Sequence, residues 1–246
     1  MKLFEILFEG KRVWYGAENQ VNPDYVADDG TKPRISSDVR ATYDQRTFES
    51  IAGNEEKLEY LKKTAKYIDS GSSRIVFAIS PKKVIKLIGG TDRDDRRTRS
   101  YYQPVGRAQN KAEYNAYERA SSEVKTLLPK IYKVGNSFEW MLAELVRPLN
   151  SPDELRKLLK LDEKQFSSFM TALSFGGKTD HYQSFLSELN SNQRAYFDIL
   201  ADLIESFDLQ AEDLTTVENW GKSADGRLVI LDTGATKEVM KRFYGV

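Results

Sequence analysis

The sequence predicts an α+β protein of two lobes, with an antiparallel β-sheet in the first lobe and mainly helices in the second. Short β-rich runs separated by turns occur between Arg74 and Leu145, whereas helical spacing dominates beyond Pro148. With 246 residues, of which 40% are hydrophobic, the chain is long enough for two small domains. We therefore divide it into an irregular N-terminal arm (1–54), a first lobe (55–147) and a second lobe (148–246).

Composition and charge exclude several classes of function. The chain has 37 basic and 37 acidic residues, so its overall charge favours no polyanion, and we do not expect nucleic acid as a partner. It lacks cysteine and has a single histidine, His181, which rules out disulfides, thiolate metal sites and histidine-rich metal sites. Because Glu5 and Glu9 interrupt the apolar N-terminus and no apolar run approaches about 18 residues, we expect neither export nor a membrane span. A cytoplasmic location is the expectation that follows.

The arm shows no sustained hydrophobic period, and the first regular pattern begins after it. Apolar residues recur at three- and four-residue spacing from Glu55 to Ile68, which predicts a helix. Next come two β-rich runs, Arg74–Ile79 and Lys83–Ile88, around the turn Ser80-Pro81-Lys82. This arrangement predicts a β-hairpin.

The remainder of the first lobe contains one more helix and one more pair of strands. Residues Gly89–Gln109 are polar and arginine-rich, which predicts a loop, and Asn110–Val124 has a helical pattern. The runs Leu128–Val134 and Phe138–Leu145, joined across Gly135-Asn136, predict two antiparallel strands.

The second lobe begins with a helix start signal. Ser151 and Glu154 have the spacing of a capping box, and Arg194–Phe207 carries an apolar stripe typical of a helix. Two β-rich runs, Val217–Trp220 and Leu228–Leu231, are separated by an Ala-Asp-Gly turn, which predicts a late hairpin.

Two segments near the C-terminus resemble a known pair of motifs. Asp213–Gly221 and Gly226–Gly234 resemble the catalytic loop and the metal-binding Asp-x-Gly of the protein-kinase-like superfamily, which includes small-molecule kinases of the aminoglycoside phosphotransferase type. The resemblance covers residues 67–234 and implies a two-lobed kinase-like fold. Only twelve residues follow Gly234, too few for a protein-kinase activation segment and its substrate-binding helices, so we expect a truncated helical second lobe.

The resemblance assigns roles to three residues of these segments. Asn219 and Asp232 correspond to the oxygen ligands of Mg²⁺, and Asp213 corresponds to the carboxylate that receives the proton of the attacking hydroxyl. The spacing departs from the family pattern, because six positions separate Asp213 from Asn219 where the family has five. Either a bulge absorbs one residue or the base is displaced.

The nucleotide-binding residues implied by the resemblance lie in the first lobe. Lys86, on a β-rich run, corresponds to the lysine that contacts ATP phosphates, and Glu113 corresponds to its helical partner, with Glu118 as the substitute. Gly71 and Ser72 correspond to the phosphate-covering loop, although Gly71 is its only glycine.

The adenine site is expected at the end of the last strand of the first lobe. The segment from Trp140 to Val146 resembles the family's passage into the hinge between the lobes. Backbone groups around Glu144 and Val146 would then hydrogen-bond adenine, and Ala143 would border the pocket.

Three functional hypotheses follow. The first is an ATP- and Mg²⁺-dependent phosphotransferase that acts on a hydroxyl acceptor, whose identity the sequence leaves open. The second is a catalytically inactive pseudokinase that serves as a protein-binding, inhibitory or structural module. The third is an inhibitor or assembly protein that uses the Arg93–Arg107 segment on a partner. The compact second lobe also resembles small kinase-like proteins encoded by bacteriophages, which would place the chain in the host cytoplasm.

Overall fold

The protein is an α+β chain that divides into two compact units, residues 1–103 and 104–246. A computed structural model describes residues 25–28, 32–35, 42–70, 73–89, 96–176 and 180–245. The division was expected after residue 147, but it falls between residues 103 and 104. The reason is that the segment after residue 104 bonds to the C-terminal part of the chain, as when the Ile230 N–H donates to the Leu127 carbonyl at 2.8 Å.

The described residues of the first unit form helices and antiparallel strands. The elements described in this unit are β1 (Tyr25–Asp28), β2 (Lys32–Ile35), α1 (Gln45–Ser50), α2 (Asn54–Thr64), β3 (Lys66–Ser70), β4 (Arg74–Ser80) and β5 (Lys83–Ile88). Strand β1 pairs with β2, and β4 pairs with both β3 and β5, all antiparallel. The predicted hairpin of β4 and β5 is therefore confirmed.

Two predictions for the first unit are wrong. The arm over 1–54 was expected to be irregular, yet it contains the β1–β2 pair and helix α1. The helix expected from Glu55 to Ile68 ends at Thr64, because Lys66–Ser70 forms a strand instead. Pairing with β4 explains this strand, since Tyr67 and Ile68 are residue types that favour strands when a partner edge is present.

The second unit carries most of the helices. Its elements are α3 (Arg96–Arg119, which begins in the first unit), α4 (Ser122–Lys125), β6 (Ile131–Val134), β7 (Trp140–Glu144), β8 (Arg147–Pro148), α5 (Pro152–Leu159), α6 (Glu163–Ser174), α7 (Asp180–Ser187), α8 (Ser191–Ser206), β9 (Trp220–Lys222), β10 (Leu228–Ile230) and α9 (Lys237–Tyr244). Strand β6 pairs with β7, and β9 pairs with both β8 and β10, all antiparallel. None of the described helices combines the length and the apolarity needed to cross a membrane.

Helix α3 corrects the prediction of a polar loop over Gly89–Gln109. The helix begins at Arg96, and its buried face carries Val105, Gln109, Glu113 and Ala116. These positions follow helical spacing, but two of them are polar, so an apolar periodicity does not reveal them. The helix predicted over 110–124 is likewise not a separate element, since α3 runs to Arg119 and α4 follows it.

The core of the second unit is built on aromatic side chains. Phe169 lies 5.3 Å from Phe185, 5.0 Å from Phe197 and 6.3 Å from Trp220 between ring centroids. All four are fully buried, so this cluster contributes much of the apolar stabilisation of the unit. It holds β9, and with it the segment that precedes β9, against the helices.

The late hairpin is displaced from its predicted position. Residues Val217–Asn219 form a 3-10 helix, and the strand begins only at Trp220. Gly221 in this strand faces β8 so closely that an added Cβ would lie 3.0 Å from the Arg147 carbonyl oxygen and closer still to a methyl group of Val146. A glycine at this position therefore allows β8 and β9 to pair.

One of the two hydrogen bonds of the predicted capping box at the start of α5 is present. The Ser151 hydroxyl accepts a hydrogen bond from the Glu154 N–H, as predicted. The Glu154 carboxylate bonds instead to the Asn150 N–H and to Arg147.

Candidate functional site

The segment that resembles a catalytic loop consists of two successive 3-10 helices, Ala211–Thr215 and Val217–Asn219. The Asn219 side chain closes the segment, because its Nδ2 donates to the Asp213 carbonyl at 2.7 Å. The same carbonyl accepts the Thr216 N–H at 3.2 Å. The unusual six-residue step is thus spanned by a direct bond from the side chain of Asn219 to the backbone of Asp213.

The backbone of this loop is joined to the strand that leads into Asp232. The Leu231 N–H donates to the Asn219 carbonyl at 2.8 Å, which continues the β9–β10 ladder by one residue. Asp232 is the next residue, and its Oδ1 accepts the Gly234 N–H at 3.0 Å. The ladder therefore places Asn219 and Asp232 at the ends of neighbouring antiparallel strands.

The Asp213 carboxyl lies in an environment that disfavours its charge. Burial, and then the negative charges of Asp232 and Glu212, raise the pKa of Asp213 from 3.8 to about 6. A group with this pKa is mostly ionised at neutral pH and accepts a proton readily.

Asn219 and Asp232 carry side-chain oxygens of the kind that bind a cation. The amide nitrogen of Asn219 is used in the bond to Asp213, so Oδ1 is the atom that this side chain can offer. Both are hard oxygen donors, which suits Mg²⁺, an ion that keeps several waters and phosphate oxygens in its shell. The described residues contain no group of three or more His, Cys, Asp or Glu that could hold a metal, so any Mg²⁺ here would depend on other ligands as well.

Gly234 brings helix α3 against the Asp232 segment. A Cβ at Gly234 would lie 2.9 Å from the Cβ and 3.0 Å from the carbonyl oxygen of Gln109, so only glycine permits this approach. Glu113 is one helical turn beyond Gln109 and is 6% exposed. Its position favours Glu113 over the exposed Glu118 as the acidic residue directed toward this site.

Some polar groups of the predicted adenine-binding segment already form hydrogen bonds within the protein. The Glu144 N–H donates to the Lys130 carbonyl at 2.8 Å, and its carboxylate accepts the Lys130 N–H at 3.1 Å and an Arg227 guanidinium N–H at 2.8 Å. The Glu144 N–H is therefore not available for the predicted contact with adenine. Val146 is buried against Gly221.

Two residues that hold the site in place received no role from the sequence. Trp220 is fully buried, and its Nε1 donates to the Leu214 carbonyl at 2.7 Å, which fixes the loop to the core. Arg227 bonds to the carbonyl of Leu128 at 3.2 Å and pairs with Glu144, besides its local pair with Asp225. A tryptophan directly after Asn219 was visible in the sequence, but no local pattern signals the bonds from Arg227 to Leu128 and Glu144, which are 99 and 83 positions away.

The remaining predicted residues are in the first unit. Lys86 lies on β5 opposite Val76 of β4, with its side chain half-buried. Its contact with nucleotide phosphates stays a prediction. Gly71 and Ser72 lie outside the described residues, as does Arg93.

No family model matches the chain, and no curated protein matches it.

Proposed function

We propose that the protein is a kinase-like phosphotransferase that uses Mg-ATP to phosphorylate a hydroxyl acceptor, on a fold of the protein-kinase-like type. The observation that carries this proposal is the pair of bonds that joins the two segments, from the Asn219 side chain to the Asp213 carbonyl and from the Leu231 N–H to the Asn219 carbonyl. A phosphotransferase of this type needs one carboxylate for the acceptor proton and another for the metal, close to each other and on separate segments. Asp213 and Asp232 are the residues we propose for these two roles.

Asn219 and Asp232 are the proposed ligands of Mg²⁺. When bound with ATP, the ion neutralises negative charge on the phosphates during transfer. The bond from Asn219 to the Asp213 carbonyl and the bond from the Gly234 N–H to Asp232 restrict both side chains before any ligand arrives. Such preorganisation is the main contribution a protein makes to phosphoryl transfer.

Asp213 is the proposed proton acceptor. As the acceptor oxygen forms its bond to the γ-phosphorus, the hydroxyl proton moves to the Asp213 carboxylate. The bond between the γ-phosphorus and the oxygen that bridges it to the β-phosphorus breaks, and ADP leaves with that electron pair. Because the pKa of Asp213 is about 6, turnover should rise with pH through that value.

The residues proposed to hold the nucleotide are those that the resemblance assigns. Lys86, Glu113, Gly71 and Ser72 are the proposed phosphate-binding set. Adenine would bond to the Glu144 carbonyl and to the backbone of Val146. These roles rest on the resemblance to the kinase-like superfamily.

A thermal-stabilisation experiment tests nucleotide binding. We expect ATP with Mg²⁺ to raise the melting temperature, and at a ligand concentration about 100 times its Kd the gain in the free energy of unfolding is about 2.7 kcal/mol. Asp232→Asn should remove the part of the gain that requires Mg²⁺. Asp198→Asn, at an exposed position on α8, is the control and should behave as wild type. Absence of any stabilisation would eliminate the proposal.

A turnover experiment then separates an enzyme from a binding module. Release of labelled phosphate from ATP, or its transfer to added alcohols, should fall at least about 100-fold in Asp213→Asn. If nucleotide binds but wild type and Asp213→Asn show the same background rate, the chain is a pseudokinase.

A further inference from the structure

Two neighbouring side chains, those of Asn219 and Trp220, bond to two neighbouring carbonyls of the proposed catalytic loop. Asn219 Nδ2 donates to the Asp213 carbonyl and Trp220 Nε1 donates to the Leu214 carbonyl, each at 2.7 Å. Both bonds span the same six positions of sequence. They therefore tie the end of the loop to the backbone of the proposed base and of the residue that follows it.

The bond from Trp220 is the better protected of the two. Trp220 and Leu214 are 0% and 2% exposed, whereas the bond from Asn219 is only partly buried. Water competes little for a buried hydrogen bond, so such a bond restrains its carbonyl strongly. The indole ring also packs 6.3 Å from the ring of Phe169 between centroids. The aromatic core of the unit thus fixes the backbone directly after the proposed base.

Backbone bonds attach the Asp232 segment to both ends of the same loop. On one side the Leu231 N–H donates to the Asn219 carbonyl at 2.8 Å, and on the other the Gln210 N–H donates to the Ala235 carbonyl at 3.3 Å. Asp232 lies between these two points in the sequence. With both ends of the loop attached, the side-chain bonds within it determine the position of the proposed base relative to the metal-binding segment.

We propose that Trp220 is a positioning residue, whose indole N–H keeps the proposed base, Asp213, where phosphoryl transfer requires it. Trp220 acts through the backbone of Leu214. The inference rests on the proposed phosphotransferase function for the role of Asp213, and on the structure for the bond itself. A shift of about 1 Å in a reacting group lowers a rate about 100-fold, so one bond at this point has a large effect on turnover.

An isosteric replacement removes this bond without opening a cavity. Benzothienylalanine at position 220 has nearly the shape of tryptophan, but a sulfur atom replaces the indole N–H, so the side chain donates no hydrogen bond. The same replacement at Trp140, another buried tryptophan, is the matched control. A second control, Phe185→Leu, weakens the aromatic core and leaves the bond to Leu214 in place. Every variant is measured as the full chain.

Amide hydrogen exchange, followed by nuclear magnetic resonance, examines the loop in the absence of nucleotide. The Thr216 N–H is the probe, because it donates to the Asp213 carbonyl at 3.2 Å. In the position-220 variant we expect it to exchange about tenfold faster relative to the amides of helix α8, since opening the loop no longer breaks the indole bond. The replacement at Trp140 should leave this ratio unchanged. An unchanged ratio in the position-220 variant would overturn the inference.

Steady-state turnover of ATP then examines the position of the base. In the position-220 variant we expect kcat to fall about tenfold or more and KM for ATP to stay within about twofold, because the bond acts on the base and not on the nucleotide. Both controls should keep the wild-type kcat. A wild-type kcat in the position-220 variant, or an equal loss in Phe185→Leu, would overturn the inference.

Failure of the inference and failure of the proposed function give different results. Wild type that does not turn over ATP refutes the proposed function, and the role of Trp220 in positioning a base is refuted with it. Wild type that turns over ATP at the same rate as the position-220 variant refutes the positioning role alone.

Discussion

Replacing Asp213 by asparagine should stabilise the folded protein at neutral pH while abolishing its proposed function. The folded state raises the pKa of the Asp213 carboxyl from 3.8 to about 6, so the ionised form is disfavoured on folding. A pKa difference of about 2 units corresponds to about 3 kcal/mol, and partial solvent access reduces this to about 2 kcal/mol. Asparagine has nearly the same shape and no charge, so it removes that cost.

The pH dependence of this gain in stability shows whether the charge of Asp213 causes it. An acid whose pKa is raised in the folded state does not reduce the free energy of unfolding at a pH below its unfolded pKa. The reduction grows as the pH rises from the unfolded pKa toward the folded pKa. The gain from Asp213→Asn should therefore be absent near pH 3.8, develop between there and about pH 6, and stay constant above about pH 7.

Urea denaturation of both proteins at each pH measures the gain in the free energy of unfolding. Asp198→Asn serves as the control, because this exposed carboxylate should change stability by less than about 0.5 kcal/mol at any pH. A gain of the same size at pH 4 and pH 8, or no gain at pH 8, would show that folding does not raise the pKa of the Asp213 carboxyl.

Two further substitutions examine the framework of the site. Arg227→Gln leaves the buried carboxylate of Glu144 without its ion-pair partner, and we expect urea denaturation to show a loss of about 3 kcal/mol in the free energy of unfolding. The control Arg156→Gln, at a surface ion pair, should lower it by less than about 1 kcal/mol. Similar losses in both variants would refute a buried role for the pair of Arg227 and Glu144. Gly234→Ala forces a methyl group against the backbone of Gln109, and we expect a loss of about 2 kcal/mol in the same assay; wild-type stability would mean that helix α3 does not approach the site closely.

Much of the strand content was predictable because it is local. Strands β4 and β5 carry continuous runs of β-branched and apolar residues around a proline-containing turn, and the structure pairs them as expected. The pair β6 and β7 was predictable for the same reason. Helix α3 was missed over its first half because that part is polar, arginine-rich and contains Pro104, so no hydrophobic pattern marks it as a helix.

The candidate site was also only partly predictable from the sequence. The order of Asp213, Asn219 and Asp232 along the chain suggested a shared site, but their spacing left the position of the base open. The bond from Asn219 to the Asp213 carbonyl and the ladder bond from Leu231 to Asn219 bring the two segments together. Neither bond has a signature in the sequence.

By itself the sequence determined the α+β class and most strands, since these follow from local periodicity and side-chain type, and a resemblance supplied the residues for the proposed phosphoryl transfer. Tertiary structure decided which side chains meet. The pKa of Asp213 depends on burial and on a carboxylate nineteen positions away. Both are properties of distance and solvent access, which arise only when the chain has folded.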